Sequence, residues 1–168
     1  MGAGPGDPEL LTLKARRLIH EAEVIIYDRL VGKGVLELAR REAKFINVGK
    51  KGFGAHVTQD VINEHLVREA QAGLKVVRLK GGDPSVFGRL DEELAALSEY
   101  GIESSVVPGI TSASAGAASL KQSLTRRDRN SSITFMTAHD AKGYAEHDWR
   151  QLVCSGQTLP IYLSLIHI

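Results

Sequence analysis

Several short segments hold residues whose type and spacing suit chemistry rather than packing alone. The richest is Lys80-Gly81-Gly82-Asp83-Pro84-Ser85-Val86-Phe87-Gly88-Arg89. Paired glycines let a backbone approach a ligand closely. Asp83 is an acceptor for an ammonium or a ribose, or else a helix cap. Tyr27-Asp28-Arg29-Leu30-Val31 offers a second carboxylate. Asp28 is a candidate general base if its surroundings raise its proton affinity toward neutrality, and otherwise a cap or a partner for Arg29. Val48-Gly49-Lys50-Lys51 puts two lysines past another apolar run, with Lys50 toward the same crevice or both simply solvated. Pro108-Gly109-Ile110-Thr111-Ser112 brings hydroxyls and N–H groups to a helix start, where Thr111 also reads as a cap. Arg126, Arg127 and Arg129 crowd one polar stretch, Thr125 to Asn130. They suit bidentate bonds to carboxylates or phosphates, or a solvated linker.

Gly2-Ala3-Gly4-Pro5-Gly6-Asp7-Pro8 invites comparison with a dinucleotide-binding turn, but the residues oppose it. The third glycine of that fingerprint is replaced by Asp7. Pro5 and Pro8 supply no N–H donors, and Asp7 is anionic, so the loop is a poor phosphate cradle. A ligand without phosphates suits it better, as does a plain tight turn. No metal site is expected: His139-Asp140 and His147-Asp148 lack a ligand spacing and Cys154 stands by itself. Nucleophile-elbow, Walker and HExxH patterns are not found.

These loops must be held by regular elements, and the apolar pattern supplies an alternation of them. Helices are expected at 8–21, 35–41, 59–72, 90–100, 111–124 and around 147–152. Strands are expected at 23–27, 44–48, 74–80, 102–107 and 131–138. Thr58 reads as an N-cap, and Gly73 and Gly101 as helix stops. Strand, helix, strand in repeated units predicts an α/β fold with a mostly parallel sheet flanked by helices. The expected organisation is an N-terminal α/β domain over 1–124, then a linker and the beginning of a second α/β domain over 125–162.

The 168 residues carry a formal charge of +1, with 24% charged and 43% hydrophobic residues, so a folded core is expected. Near-neutral charge opposes a nucleic-acid-binding surface, though not a local basic patch. One cysteine fits a reducing compartment. With neither a signal-peptide pattern nor a run long enough to span a membrane, a cytoplasmic location without membrane partners is expected. Both ends read as interruptions. A glycine-rich turn normally follows a buried strand, yet Met1 alone precedes this one, and Leu163-Ser164-Leu165-Ile166-His167-Ile168 resembles a translated sequencing adapter. A piece of a longer protein is expected, with 163–168 as a non-native tail.

Taken in order, these stretches resemble the tetrapyrrole methylase family, and within it the branch that methylates uroporphyrinogen III. The carriers are GAGPGDPELLTLKA (2–15), YDRLV (27–31), VGKKG (48–52), QDVIN (59–63), VVRLKGGDPSVFGR (76–89), VVPGITSASA (106–115) and SLTRRDRNSSITFMTAH (123–139). The resemblance implies S-adenosyl-L-methionine as methyl donor, uroporphyrinogen III as acceptor, and a homodimer of two-domain subunits with the cofactor between domains. It also implies that Pro5, Gly81, Gly82, Asp83, Val86, Thr111 and Ser112 line the cofactor site. Asp28 would be the proton acceptor and Lys50 a proton donor. An acceptor with eight carboxylates needs a basic patch, for which Arg126, Arg127 and Arg129 are expected, with Lys51 as a weaker contributor. A later corrin methylase, a relative acting on ribosomal RNA or a modified protein histidine, and a piece without turnover are the competing expectations.

Overall fold

The run Val24-Ile25-Ile26-Tyr27 is apolar on both sides, so a strand made from it must be covered on both faces. The computed structural model, which describes residues 1–49, 57–140, 143–144, 147–153 and 156–163, builds that arrangement. Strand β1 (Val24–Tyr27) lies between β2 (Lys44–Asn47) and β3 (Val76–Leu79), and both pairings are parallel. The period-2 alternation of a strand then sorts the core. Ile25 packs with Ile19, Ala22, Val31, Val35 and Leu79 on one face. Val24 and Ile26 pack with Val48, Ile62 and Leu66 on the other. Helices α1 (Leu13–Glu21) and α2 (Lys33–Leu36) supply residues to the first cluster. Helix α3 (Gln59–Gln71) supplies the second, with Leu97 of α4 (Leu90–Glu99) packed against it. The α/β class with a parallel sheet and flanking helices is as expected.

Helix ends follow local chemistry. Thr58 Oγ1 accepts from Val61 N at 3.4 Å and so caps α3. At the far end of α4, Gly101 takes φ +65, its N–H donates to Ser98 O (3.0 Å), and Ile102 N–H donates to Leu97 O (3.0 Å). That Schellman closure turns the chain where a strand over 102–107 was expected. No strand is assigned there; Val107 O instead accepts from Gly2 N at 2.9 Å. The single helix expected over 8–21 is two. Asp7 accepts from Glu9 N (2.9 Å) to start a 3-10 turn at Pro8–Leu10, and Leu11 and Thr12 are extended. Thr12 Oγ1 then caps α1 through Ala15 N (3.1 Å). Two capping residues five positions apart divide the helix.

The chain divides into two compact units, Met1–Ser112 and Ala113–Ile168. Residue 124, the boundary expected from the sequence, falls inside the second. Helix α5 (Ser112–Ser119) opens that unit, and Ala113 N–H donates to the hydroxyl of Tyr162 at 3.4 Å. The helix closes at Lys121 (φ +52), whose N–H donates to Ala118 O, while Gln122 N–H donates to Ala117 O. Strands β4 (Met136–Thr137) and β7 (Ile161–Tyr162) pair in parallel, extended by Thr134 N to Thr158 O and Ala138 N to Tyr162 O. Strands β5 (His139–Asp140) and β6 (Gly143–Tyr144) pair antiparallel, and α6 (Trp149–Val153) follows. Among the described residues no helix is long and apolar enough to cross a membrane.

A buried carboxylate with two exposed cations joins the sheet to its helical cover. Glu69 of α3 is buried and takes Lys44 Nζ of β2 at 2.8 Å and Arg68 at 3.0 Å. Hydrogen bonds from Lys44 first, then Arg68, hold its carboxyl below the ordinary 4.5. A carboxyl depressed in the folded state contributes stability that is present above the unfolded value and lost as pH falls through the folded one. Glu69→Gln should therefore be less stable than the unaltered chain at neutral pH, with the gap closing below pH 4.5. Urea unfolding of both proteins across that range is the check; a gap independent of pH would contradict it.

Candidate active site

Parallel pairing brings the carboxyl ends of β1, β2 and β3 to one edge, where ligands of open α/β sheets bind. Three glycine-bearing segments meet there. Gly4 and Gly82 exchange backbone hydrogen bonds, Gly4 N to Gly82 O at 3.2 Å and Gly82 N to Gly4 O at 2.7 Å. Both have positive φ, +65 and +67, which glycine adopts without penalty. Gly109 comes against both other segments: a Cβ on it would lie 2.3 Å from Gly82 O and 2.9 Å from Gly2 Cα. A Cβ on Gly81 would meet Leu30 Cβ at 2.7 Å, so the Asp28 loop is seated on the same cluster.

Asp83 fastens this cluster. Its Oδ1 accepts from Ser85 N (2.8 Å) and its Oδ2 from Gly109 N (2.9 Å). The first closes a local Asx turn and the second ties the 81–89 loop to the Pro108-Gly109 turn. Asp83 does not cap α4, whose N-cap position is Arg89 at φ +52. Thr111 and Ser112 sit next to Gly82, with Thr111 Cα 3.8 Å and Ser112 N 3.9 Å from where its Cβ would be. Pro5 follows Gly4 and is exposed, and Val86 N donates to Asp83 O at 3.2 Å. The N–H groups of Gly4, Gly82, Ser85 and Gly109 are thus engaged within the protein, whereas a phosphate cradle would aim such donors at its ligand.

A buried charge cluster lies beside this platform. Alternation puts Arg78 and Lys80 on the sheet face covered by α3 and α4. Glu93 of α4 enters between them, its Oε1 at 2.7 Å from Lys80 Nζ and 3.1 Å from Arg78 Nε. Arg78 Nη2 also reaches Asp28 Oδ2 at 3.4 Å, and Asp28 Oδ1 accepts from Leu30 N at 3.0 Å. Side-chain exposure is 6% for Lys80, 5% for Glu93, 11% for Arg78 and 25% for Asp28, so only the last is open to a ligand. Burial pushes the Lys80 ammonium below its usual 10.5, opposed by its hydrogen bond to Glu93.

The structure therefore brings Pro5, Gly81, Gly82, Asp83, Val86, Thr111, Ser112 and Asp28 into one region of the first unit. Lys50 and Lys51 lie outside the described residues, as do Cys154 and the tail from Ser164 onward. Arg126, Arg127 and Arg129 belong to the second unit. Arg126 N to Asn130 O and Asn130 N to Arg126 O, both 2.9 Å, close them into a tight turn with all three exposed, where a linker was one reading. His147 Nε2 is 2.8 Å from Thr137 O and its ring stacks edge-on with Trp149. The functional reading of the sequence passed over Arg78, Lys80 and Glu93. The available signal was two basic residues on one face of an apolar strand, which requires a buried counter-charge.

The family model for Tetrapyrrole (Corrin/Porphyrin) Methylases matches residues 1–166. The chain belongs to this family. Siroheme synthase of Acinetobacter baylyi is 52% identical over 166 residues, which are 99% of this chain and 36% of that protein. Siroheme synthase 2 of Aeromonas hydrophila subsp. hydrophila is 53% identical over 99% of this chain and 35% of its own length. The chain thus spans little more than a third of these relatives. Among solved structures, uroporphyrin-III C-methyl transferase from Thermus thermophilus, complexed with S-adenyl homocysteine, is 44% identical with a TM-score of 0.73, covering 90% of this chain and 63% of that one. Cobalt precorrin-4 methyltransferase, a cobalamin biosynthetic enzyme, is 29% identical with a TM-score of 0.74, over 87% of this chain and 59% of that one. The tetrapyrrole methylase resemblance read from the loops thus holds over nearly the whole chain.

In this tetrapyrrole methylase the glycine contacts are testable one at a time. Gly109→Ala drives a methyl into backbone that cannot yield and should lower stability by about 1 to 3 kcal/mol or more. Gly116→Ala in α5 meets nothing within 4 Å and should be neutral or stabilising. Thermal unfolding of the two variants should separate them, and equal midpoints would remove the packing argument.

Proposed function

We propose that the chain is part of an enzyme that transfers methyl groups from S-adenosyl-L-methionine to two pyrrole carbons of uroporphyrinogen III, yielding precorrin-2. The observation that carries this reading is the Gly4–Gly82–Gly109 platform fastened by Asp83, with the half-open carboxylate of Asp28 beside it. Family membership, the siroheme synthase relatives and the Thermus thermophilus methyl transferase support it. The reading includes a homodimer in the cytoplasm; one cysteine in 168 residues is consistent with a reducing compartment.

The fit to the methyl donor rests on chemistry present in the platform. The donor has no phosphate, and the platform's N–H groups are already engaged. The donor carries a cationic sulfonium and an ammonium, and the platform's one carboxylate is Asp83. The adenosyl group is assigned to Gly82, where a Cβ would meet nothing nearer than 3.8 Å, with Pro5, Gly81, Val86, Thr111 and Ser112 assigned beside it. S-adenosyl-methionine supplies a methyl group already activated for transfer.

The protein's own residues then have two tasks. The first is alignment of the pyrrole carbon with the methyl, for which well-oriented groups gain roughly 7 to 11 kcal/mol. The second is acceptance of the proton that the alkylated pyrrole gives up as its double bonds rearrange. Asp28 is the more exposed of the two carboxylates in the charge cluster, and it is assigned the role of proton acceptor. Lys50 is assigned the returning proton. The eight carboxylates of the acceptor are assigned to Arg126, Arg127 and Arg129, with Lys51 a lesser contributor.

Two measurements on the full-length protein test this reading. Asp28→Asn should abolish methyl transfer while S-adenosyl-homocysteine still binds with near-normal affinity by calorimetry. Lost binding would make Asp28 structural, and retained turnover would remove it as the base. Arg127→Ala should weaken uroporphyrinogen III binding severalfold at low salt, with a smaller effect at high salt as screening removes the contribution. Unchanged affinity at low salt would take the arginine turn out of the substrate site.

A further inference from the structure

We infer that Glu93 is a positioning residue for the proposed reaction: by holding Arg78 and Lys80 it keeps the Asp28 carboxylate available to accept a proton. The inference rests on the reading of Asp28 as the base. Three carboxylate–cation contacts carry it, and their lengths differ in a consistent direction. Glu93 Oε1 takes Lys80 Nζ at 2.7 Å and Arg78 Nε at 3.1 Å, while Asp28 Oδ2 receives Arg78 Nη2 at 3.4 Å. Both buried cations are held more closely by the carboxylate that faces the interior than by the one that is partly open.

Geometry explains why this division matters. Tyr27 and Leu79 are paired in the parallel register, so Asp28 and Lys80 are the next residues of adjacent strands. Lys80 has a four-carbon arm with free torsions. Without the charge on Glu93, Asp28 is the remaining carboxylate whose charge acts on that ammonium. Arg78 is restrained through its other nitrogens, Nε by Glu93 and Nη1 by Leu79 O at 2.6 Å. Loss of the first leaves its fork to turn on the second, toward Asp28. A carboxylate gripped by two cations in a site shielded from water is a poorer proton acceptor than one with a single long contact. Gln59 Nε2 lies 3.5 Å from Glu93 Oε1, and the Met1 ammonium, bonded to Arg78 O at 2.9 Å, also feels the Glu93 charge.

The test is steady-state and single-turnover methyl transfer by the full-length protein carrying Glu93→Gln. We expect kcat to fall roughly 10- to 100-fold, the scale on which a displaced catalytic group slows a reaction. KM and S-adenosyl-homocysteine affinity should stay within about twofold, because the glycine platform is untouched. Adding Lys80→Met to Glu93→Gln removes the competing ammonium and should recover much of kcat, which a role in folding alone would not produce. If Glu93→Gln does not fold, Glu93→Asp keeps the charge but withdraws it by one methylene, and a smaller loss in kcat at unchanged KM is expected. Normal kcat in a folded Glu93 variant, or loss shared equally by KM and cofactor affinity, overturns the inference. Normal turnover in Asp28→Asn would instead sink the reading of the base, and the two failures are therefore distinct.

Discussion

Two cations and two carboxylates meet beneath the carboxyl edge of the sheet, and the site depends on their balance. Arg78 and Lys80 could not stand on the α3/α4 face of an otherwise apolar strand by themselves, since an unpaired buried charge costs several kcal/mol. Glu93 answers both from α4. Together with Leu97 packed on the second core cluster, that carboxylate ties α4, the helix that the 81–89 loop must reach, to β3. Phe87 and Arg89 are both at φ +52 within that loop, and a Cβ on Gly88 would lie 2.2 Å from Pro84 O. The loop is held in a conformation most side chains avoid, consistent with being clamped at both ends.

The platform above the charges follows a different rule. It is built from backbone touching backbone, with Gly2, Gly82 and Gly109 in mutual contact and Asp83 joining two of the segments. The backbone of Thr111 and Ser112 flanks it at Gly82. A surface made this way changes little with rotamer state. Adaptability in such a site belongs to the residues that surround it, Asp28 among them.

Much of this was legible in the residue pattern because its causes are local. Thr58, Gly73 and Gly101 end or begin helices through bonds within a few residues, and the β1 and β3 runs announce burial by composition. The paired glycines before Asp83 pointed to the platform for the same reason. The division at Thr12 was also local, but the apolar spacing from Leu10 to Ile19 concealed two caps in succession. What stayed hidden depends on distant partners. The segment 102–107 has strand composition, yet Ile102 is drawn into the closure of α4. Asp28 also reaches Arg78, fifty residues away, a partner that adjacency does not suggest. Glu93 looked like one acid among three in the first turn of α4, and only the fold turns it inward.

The central position of β1 also dictates an order of assembly. Its pairing with β2 closes a loop of roughly 20 residues, and its pairing with β3 one of roughly 50, a difference of about 1 kcal/mol in chain entropy. The β1–β2 half, with α1 and α2 against Ile25, is favoured to form first. Arg78, Lys80 and the glycine loop arrive with β3 afterwards. The site is thereby completed late: Gly4, Pro5 and Asp28 belong with the half favoured first, and Arg78, Lys80 and the 81–89 loop dock onto it with β3.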